Sequence, residues 1–119
     1  MSGMPSYRVN QEAVDQAREL IDAGTYDDDT AWSQAAPSPA DGNDELDDEG
    51  WEQYARWHLA IDPDASERTK KRYHFPYGDF STVNRAALIH AKQRAAQNDH
   101  SEIEQAADDL LQHLDRKRP

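Results

Sequence analysis

Apolar residues recur at helical spacing in four stretches of the chain. In the first, Ala13, Val14, Ala17, Leu20 and Ile21 lie three and four apart, which gathers them on one helix face. Asn10 stands at the N-cap position, and Glu12 falls in the first turn, where the helix dipole favours an acid. Gly24 follows the last turn, where a positive φ is common. The pattern predicts a helix over about 11–23. In the second stretch, GWEQYARWHLA, Trp51, Tyr54, Ala55 and His58 share one face, widened by Trp57 and Leu59, so a helix is expected from near Asp48 to about Ala60. Pro63 disfavours helical geometry at Asp62 and ends it. The third helix is expected to begin at Ser81 or Thr82 and run to about Gln97, with Val83, Ala87, Leu88, Ala91 and Ala95 along one side. After a turn at Asn98-Asp99-His100, Ser101 and Glu104 fit a capping box, and Ile103, Ala106, Ala107, Leu110, Leu111 and Leu114 trace a fourth apolar stripe. The short connection makes these last two helices antiparallel neighbours.

Between these stretches the pattern changes. Residues 27–49 hold nine acids and no base, with Pro, Gly, Ser and Asp clustered in APSPADGND. Self-repulsion and scarce apolar groups predict a long acidic loop prone to disorder, tacked down by Trp32 and Leu46. YHFPYGDF has the aromatic content of a short extended segment near 73–77, and Pro76 confines any strand there to an edge. Alternation places Tyr73, Phe75 and Tyr77 on one side. Gly78-Asp79 is read as a turn, with Asp79 as a cap for the following helix. The end of the chain, 116–119, is expected to fray. The fold class that emerges is mainly α: a four-helix single domain over 1–119. Its core is expected around Trp51, Tyr54, the YHFPYGDF aromatics, Leu88 and the Ile103–Leu114 stripe.

Composition narrows the functional classes. A chain of 119 residues is most simply one domain, and 36% hydrophobic residues make a lean core. A net charge of -11 argues against general polyanion binding. There are no cysteines, so thiolate catalysis and cysteine-based metal centres are excluded. The opening MSGMPSYRVNQEAV has no basic flank followed by an apolar core, so no secretory leader is expected. No run approaches the roughly 20 apolar residues needed to cross a bilayer. A cytoplasmic location is expected, with no membrane association and no cofactor or metal.

Charge is uneven along the chain. Between residues 70 and 98 six cations (Lys70, Lys71, Arg72, Arg85, Lys92, Arg94) face Asp79 alone. One reading is an anion-binding face built from Arg72, Arg85, Lys92 and Arg94, beside a pocket at Tyr77 and Asp79. The competing reading has these cations answering the acidic segment of the same chain, each exposed pair contributing about 0–1 kcal/mol. The aromatics of YHFPYGDF read first as core and second as a base-stacking platform. Five histidines (His58, His74, His90, His100, His113) show no i,i+4 ligand pair, though His74, His90 and Asp79 could meet in space. No nucleophile-elbow, phosphate-loop or dinucleotide glycine pattern occurs.

Four blocks, YRVNQEAVDQARELIDAG, GWEQYARWHLAID, KKRYHFPYGDFSTVNRAALI and HSEIEQAADDLLQHLD, give the chain a resemblance from Tyr7 to Asp115 to a family of small bacterial proteins without an assigned activity. In that family a histidine often stands where Asn84 stands here, which weakens a catalytic reading of this position. The resemblance implies a single free-standing domain and no mechanism. The leading functional expectation is therefore a non-enzymatic interaction protein, with a protein partner or a homodimer formed through a helix face. The alternative is a phosphate- or nucleotide-binding module, or a small enzyme, using Arg85, Lys92 and Asp79. Nucleic-acid binding through the 70–94 cations comes third.

Overall fold

The computed structural model describes residues 7–118. The three helices with the clearest apolar repeats form close to where the pattern puts them: α1 at Gln11–Asp22, α4 at Arg85–Gln97 and α5 at Ser101–Lys117. Two more helices, α2 at Trp32–Ala35 and α3 at Pro39–Ala55, bring the number among the described residues to five. The fold is a mainly helical, compact single domain with a small sheet.

The stretch expected as an acidic loop is largely helical, because it carries a start signal. Ser38 Oγ accepts from the Asp41 amide at 3.1 Å, and the Asp41 carboxylate accepts from the Ser38 amide at 2.9 Å. Pro39 occupies the first helical position, where its missing N–H costs nothing. Gly50, at φ 84° and ψ 176°, kinks α3 into an acidic half and an aromatic half. The kink needs a glycine because a Cβ disfavours that φ.

The second expected helix stops at Ala55, and His58–Ile61 is a strand, β3. His58, Leu59 and Ala60 are consecutive and all buried, the mark of a strand covered on both faces. Such a run looks like a widened helix face when judged by period alone. β3 is the central strand of an antiparallel sheet between β1 (Arg8–Val9) and β4 (Tyr73–Pro76), with His58 opposite Pro76 and Ala60 opposite His74. β4 is thus an edge strand, as Pro76 requires. A second, parallel pair joins β2 (Tyr26–Asp27) to β5 (Val83–Asn84), and this pairing delays α4 to Arg85.

The main core packs α1, α4 and α5 against Trp57, Leu59, Tyr77 and Val83. Leu88, Leu110 and Leu114 are sealed within it. Trp51, expected in this core, is only half-buried and belongs to an aromatic patch with Tyr54 and Tyr73, at centroid distances of 5.7 and 6.1 Å. The aromatics of YHFPYGDF do not share one side. Phe75 has φ 61°, which breaks the alternation. Tyr73 turns toward Tyr54, Phe75 packs edge-on to Tyr7 and His100, and Tyr77 stacks on Trp57 at 5.1 Å.

Three caps also differ from expectation. Asn10 caps no helical amide; its side chain donates to the carbonyls of Ala55 and His58, at 2.9 and 3.2 Å, and so ties α3 to β3. Ser101 is the first residue of α5 instead of its cap, and no capping box forms there. Asp79 accepts from the Ser81 and Thr82 amides within its own turn, while Asn84 caps α4. α5 continues through Lys117, two residues into the stretch expected to fray. The Asn84 side chain accepts from the Ala87 amide at 2.9 Å and donates to the Thr30 carbonyl at 3.1 Å while almost fully buried. Asn84→Ala removes both bonds and is expected to lower unfolding free energy by about 1–2 kcal/mol. Urea denaturation measures this; a change below about 0.5 kcal/mol would show that neither bond matters.

Candidate functional site

The cations singled out in the sequence are held by different partners. Arg85 makes a forked pair with Asp115, Nε to Oδ1 at 2.8 Å and Nη2 to Oδ2 at 3.1 Å. That bond holds the Asp115 carboxyl below its usual range and raises the guanidinium. Lys92 Nζ donates to Asp108 at 2.8 Å, with the same two-way effect on their titration. Arg72 donates to the Ala65 carbonyl at 2.8 Å and stabilises the loop before β4. Arg94 is exposed on α4, and no carboxylate lies within ion-pair distance of it among the described residues. Tyr77 is fully buried; its hydroxyl donates to the Arg56 carbonyl at 2.8 Å and accepts from Gln16 Nε2 at 3.1 Å. Asp79 is exposed in its turn. These residues do not converge on one pocket. Arg85 and Lys92 are answered from within the chain, by carboxylates of α5, with the charge of Asp28 in the acidic segment adding to the field at Arg85.

A different concavity lies between α1 and α3. Its volume is about 490 Å³, and Gln16, Glu19, Leu20, Glu45, Asp48, Glu49, Gln53, Trp57 and Phe80 line it. The floor is apolar: Phe80 stands edge-on to Trp57, with centroids 6.2 Å apart at 80°, and Leu20 is half-buried against the core. The rim is anionic. α1 contributes Glu19, and the acidic half of α3 contributes Glu45, Asp48 and Glu49. Burial pushes the Glu45 carboxyl up, and the neighbouring Glu49 and Asp48 charges push it further. Among the described residues no Lys, Arg or His lies within ion-pair distance of these four carboxylates. The groove can therefore hold a cation whose stem is apolar. Sequence reasoning missed it because Glu45–Glu49 was assigned to a loop and Phe80 to the core. The signal that could have found it is the spacing of Glu45, Asp48 and Glu49, which in a helix places all three on one face.

The histidines divide. His74 and His90 line one cavity beside β4, which Asp79 does not reach. His113 Nε2 lies 2.7 Å from Asp22 Oδ1 and links α5 to α1. Among the described residues no group of three or more His, Asp or Glu is placed to hold a metal ion. None of the described helices is long and apolar enough to cross a membrane. Comparisons of the chain with protein-family models, with curated proteins and with solved structures find no match, so neither the groove nor the four-block resemblance gains a relative from them.

Proposed function

We propose that the protein is a non-enzymatic interaction module that docks a basic segment of another protein in the groove between α1 and α3. The observation that carries this reading is the ring of four carboxylates, without an internal cation, around the floor of Leu20, Trp57 and Phe80. A Lys or Arg side chain suits both parts: its stem covers the rings while its head meets the carboxylates. The net charge of -11 steers a basic partner toward the molecule and raises its association rate. A symmetric dimer through this same face would set the four carboxylates against their own copies, which costs several kcal/mol and favours a different, basic partner.

Selection from a library of eight-residue peptides rich in Arg, Lys and Leu tests the proposal. Enriched peptides are expected to carry two or more cations flanking an apolar residue. They should lose at least about tenfold in affinity, or about 1.4 kcal/mol, on the Glu45→Gln/Glu49→Gln variant. The Glu102→Gln/Asp109→Gln variant changes net charge equally outside the groove and should bind as the parent does. Equal losses on both variants would reduce the effect to bulk charge and remove the groove, and a library with no enrichment would remove the proposal altogether.

A further inference from the structure

A second cavity, of about 460 Å³, lies between β4, the start of β3, Trp32 of α2 and the C-terminal half of α4. Its chemistry is the opposite of the groove's. In a chain of net charge -11 its lining includes no Asp or Glu, but does include Arg94 and the imidazoles of His58, His74, His90 and His100. One wall is a stack of flat rings. Tyr7 lies between His74, at 4.4 Å and 16°, and His100, at 4.8 Å and 28°, with Phe75 edge-on to both Tyr7 and His100.

His58 supplies the decisive observation. It is only 6% exposed, yet it lines this cavity. Its Nδ1 lies 2.8 Å from the Tyr54 carbonyl, which can only accept, so the Nδ1 carries the proton and the Nε2 presents a lone pair. Among the described residues no group bonds that Nε2, and no buried side-chain nitrogen or oxygen is sealed away without a partner. Unpartnered and not sealed away, this Nε2 can accept from a donor that enters the cavity His58 lines. Arg94, with no carboxylate within ion-pair distance among the described residues, is available to an anion at the cavity's edge.

The geometry points to a binding site for a small flat aromatic carboxylate that also carries an N–H or O–H donor. The carboxylate meets Arg94, the ring lies against Phe75 and Trp32, and the donor reaches His58 Nε2. A one- or two-ring molecule suits the volume, which lies in the lower half of the range usual for small-molecule sites. This site is separate from the α1–α3 groove and stands or falls independently of it.

Calorimetry on the full chain with indole-3-carboxylate tests the site. Binding is expected. The N-methyl analogue, which lacks the donor, should bind at least about tenfold more weakly, a comparison that needs no altered protein. Arg94→Gln, at an exposed position, should weaken the carboxylate at least about tenfold and leave the neutral indole-3-carboxamide unchanged. In a His58→Leu variant that folds, the penalty for N-methylation should vanish. Absence of binding at millimolar concentration overturns the site, as does equal binding of the N-methyl analogue. Inorganic phosphate competing as well as the aromatic acid would overturn the assigned ligand class.

Discussion

Gly78→Ala is expected to lower the unfolding free energy by about 3 kcal/mol, the upper end of the usual overpacking cost. The reason is space on two sides. A Cβ at this buried position would press on the Thr82 carbonyl oxygen and lie 2.7 Å from Trp57 Cζ3. Neither neighbour can retreat cheaply. The Thr82 carbonyl accepts from the Asp79 amide, and Gly78 bridges to Val83, which is itself anchored to Thr25. Trp57 is held face-on by Tyr77, at 5.1 Å and 25°. Displacing the indole would also disturb the floor of the α1–α3 groove, so the variant should lose peptide affinity along with stability. Urea denaturation followed by tryptophan fluorescence measures the first effect, and anisotropy with a selected peptide the second. A variant within about 1 kcal/mol of the parent would mean that the turn yields freely.

That turn shows how far the sequence could be read. Gly78-Asp79 was legible as a turn from its residue types, and Asp79 does accept from the Ser81 and Thr82 amides. The approach of Trp57 to Gly78 was not legible, because it depends on where β3 begins and β4 ends, between two residues 21 apart in the chain. The same division runs through the molecule. α1, α4 and α5 were read because each carries a one-sided apolar stripe, and a stripe is a local property. The acidic first half of α3 was missed because Ser38, Pro39 and Asp41 are loop formers when counted as composition and a helix start when read as positions. β3 was absorbed into a helix because a strand buried on both faces has no alternation. At the candidate site, the cations were visible and their partners were not. Even so, one inference was available. Two antiparallel helices joined at His100 bring together residues equally distant from it, and this is how Arg85 meets Asp115 and Lys92 meets Asp108. The groove between α1 and α3 was out of reach, since it needs the helical register of a segment taken for a loop.

Between pH 6.5 and 4 the protein is expected to lose about 3 kcal/mol of stability through His58 alone. Burial is the main cause. It disfavours the imidazolium and lowers the pKa to about 4, the nearby His74 adds to the effect, and the bond to the Tyr54 carbonyl opposes it. The folded pKa lies below the unfolded value of about 6.5, so within this window the unfolded chain takes up a proton that the native state refuses. Stability therefore rises with pH across the window, is fully present above about 6.5, and is lost as pH falls toward 4. The carboxylates act lower. Hydrogen bonds to His113, Thr30, Lys92 and Arg85 hold Asp22, Asp27, Asp108 and Asp115 below their ordinary values, so their contributions persist above the unfolded carboxylate pKa of about 3.9 and fade only below it. The two effects occupy different pH ranges and can be separated. Urea denaturation at intervals from pH 7 to 4 should give a falling limb for the parent and a nearly flat one for His58→Phe, despite the bond to Tyr54 that the variant forfeits at every pH. Parallel limbs would place the acid sensitivity elsewhere and would mean that His58 charges within the fold. An aromatic acid bound in the cavity should add a further signature. By engaging the neutral Nε2 it would stabilise the native state at pH 7 and lose that effect as the imidazole protonates, so ligand stabilisation and His58 titration should decline together.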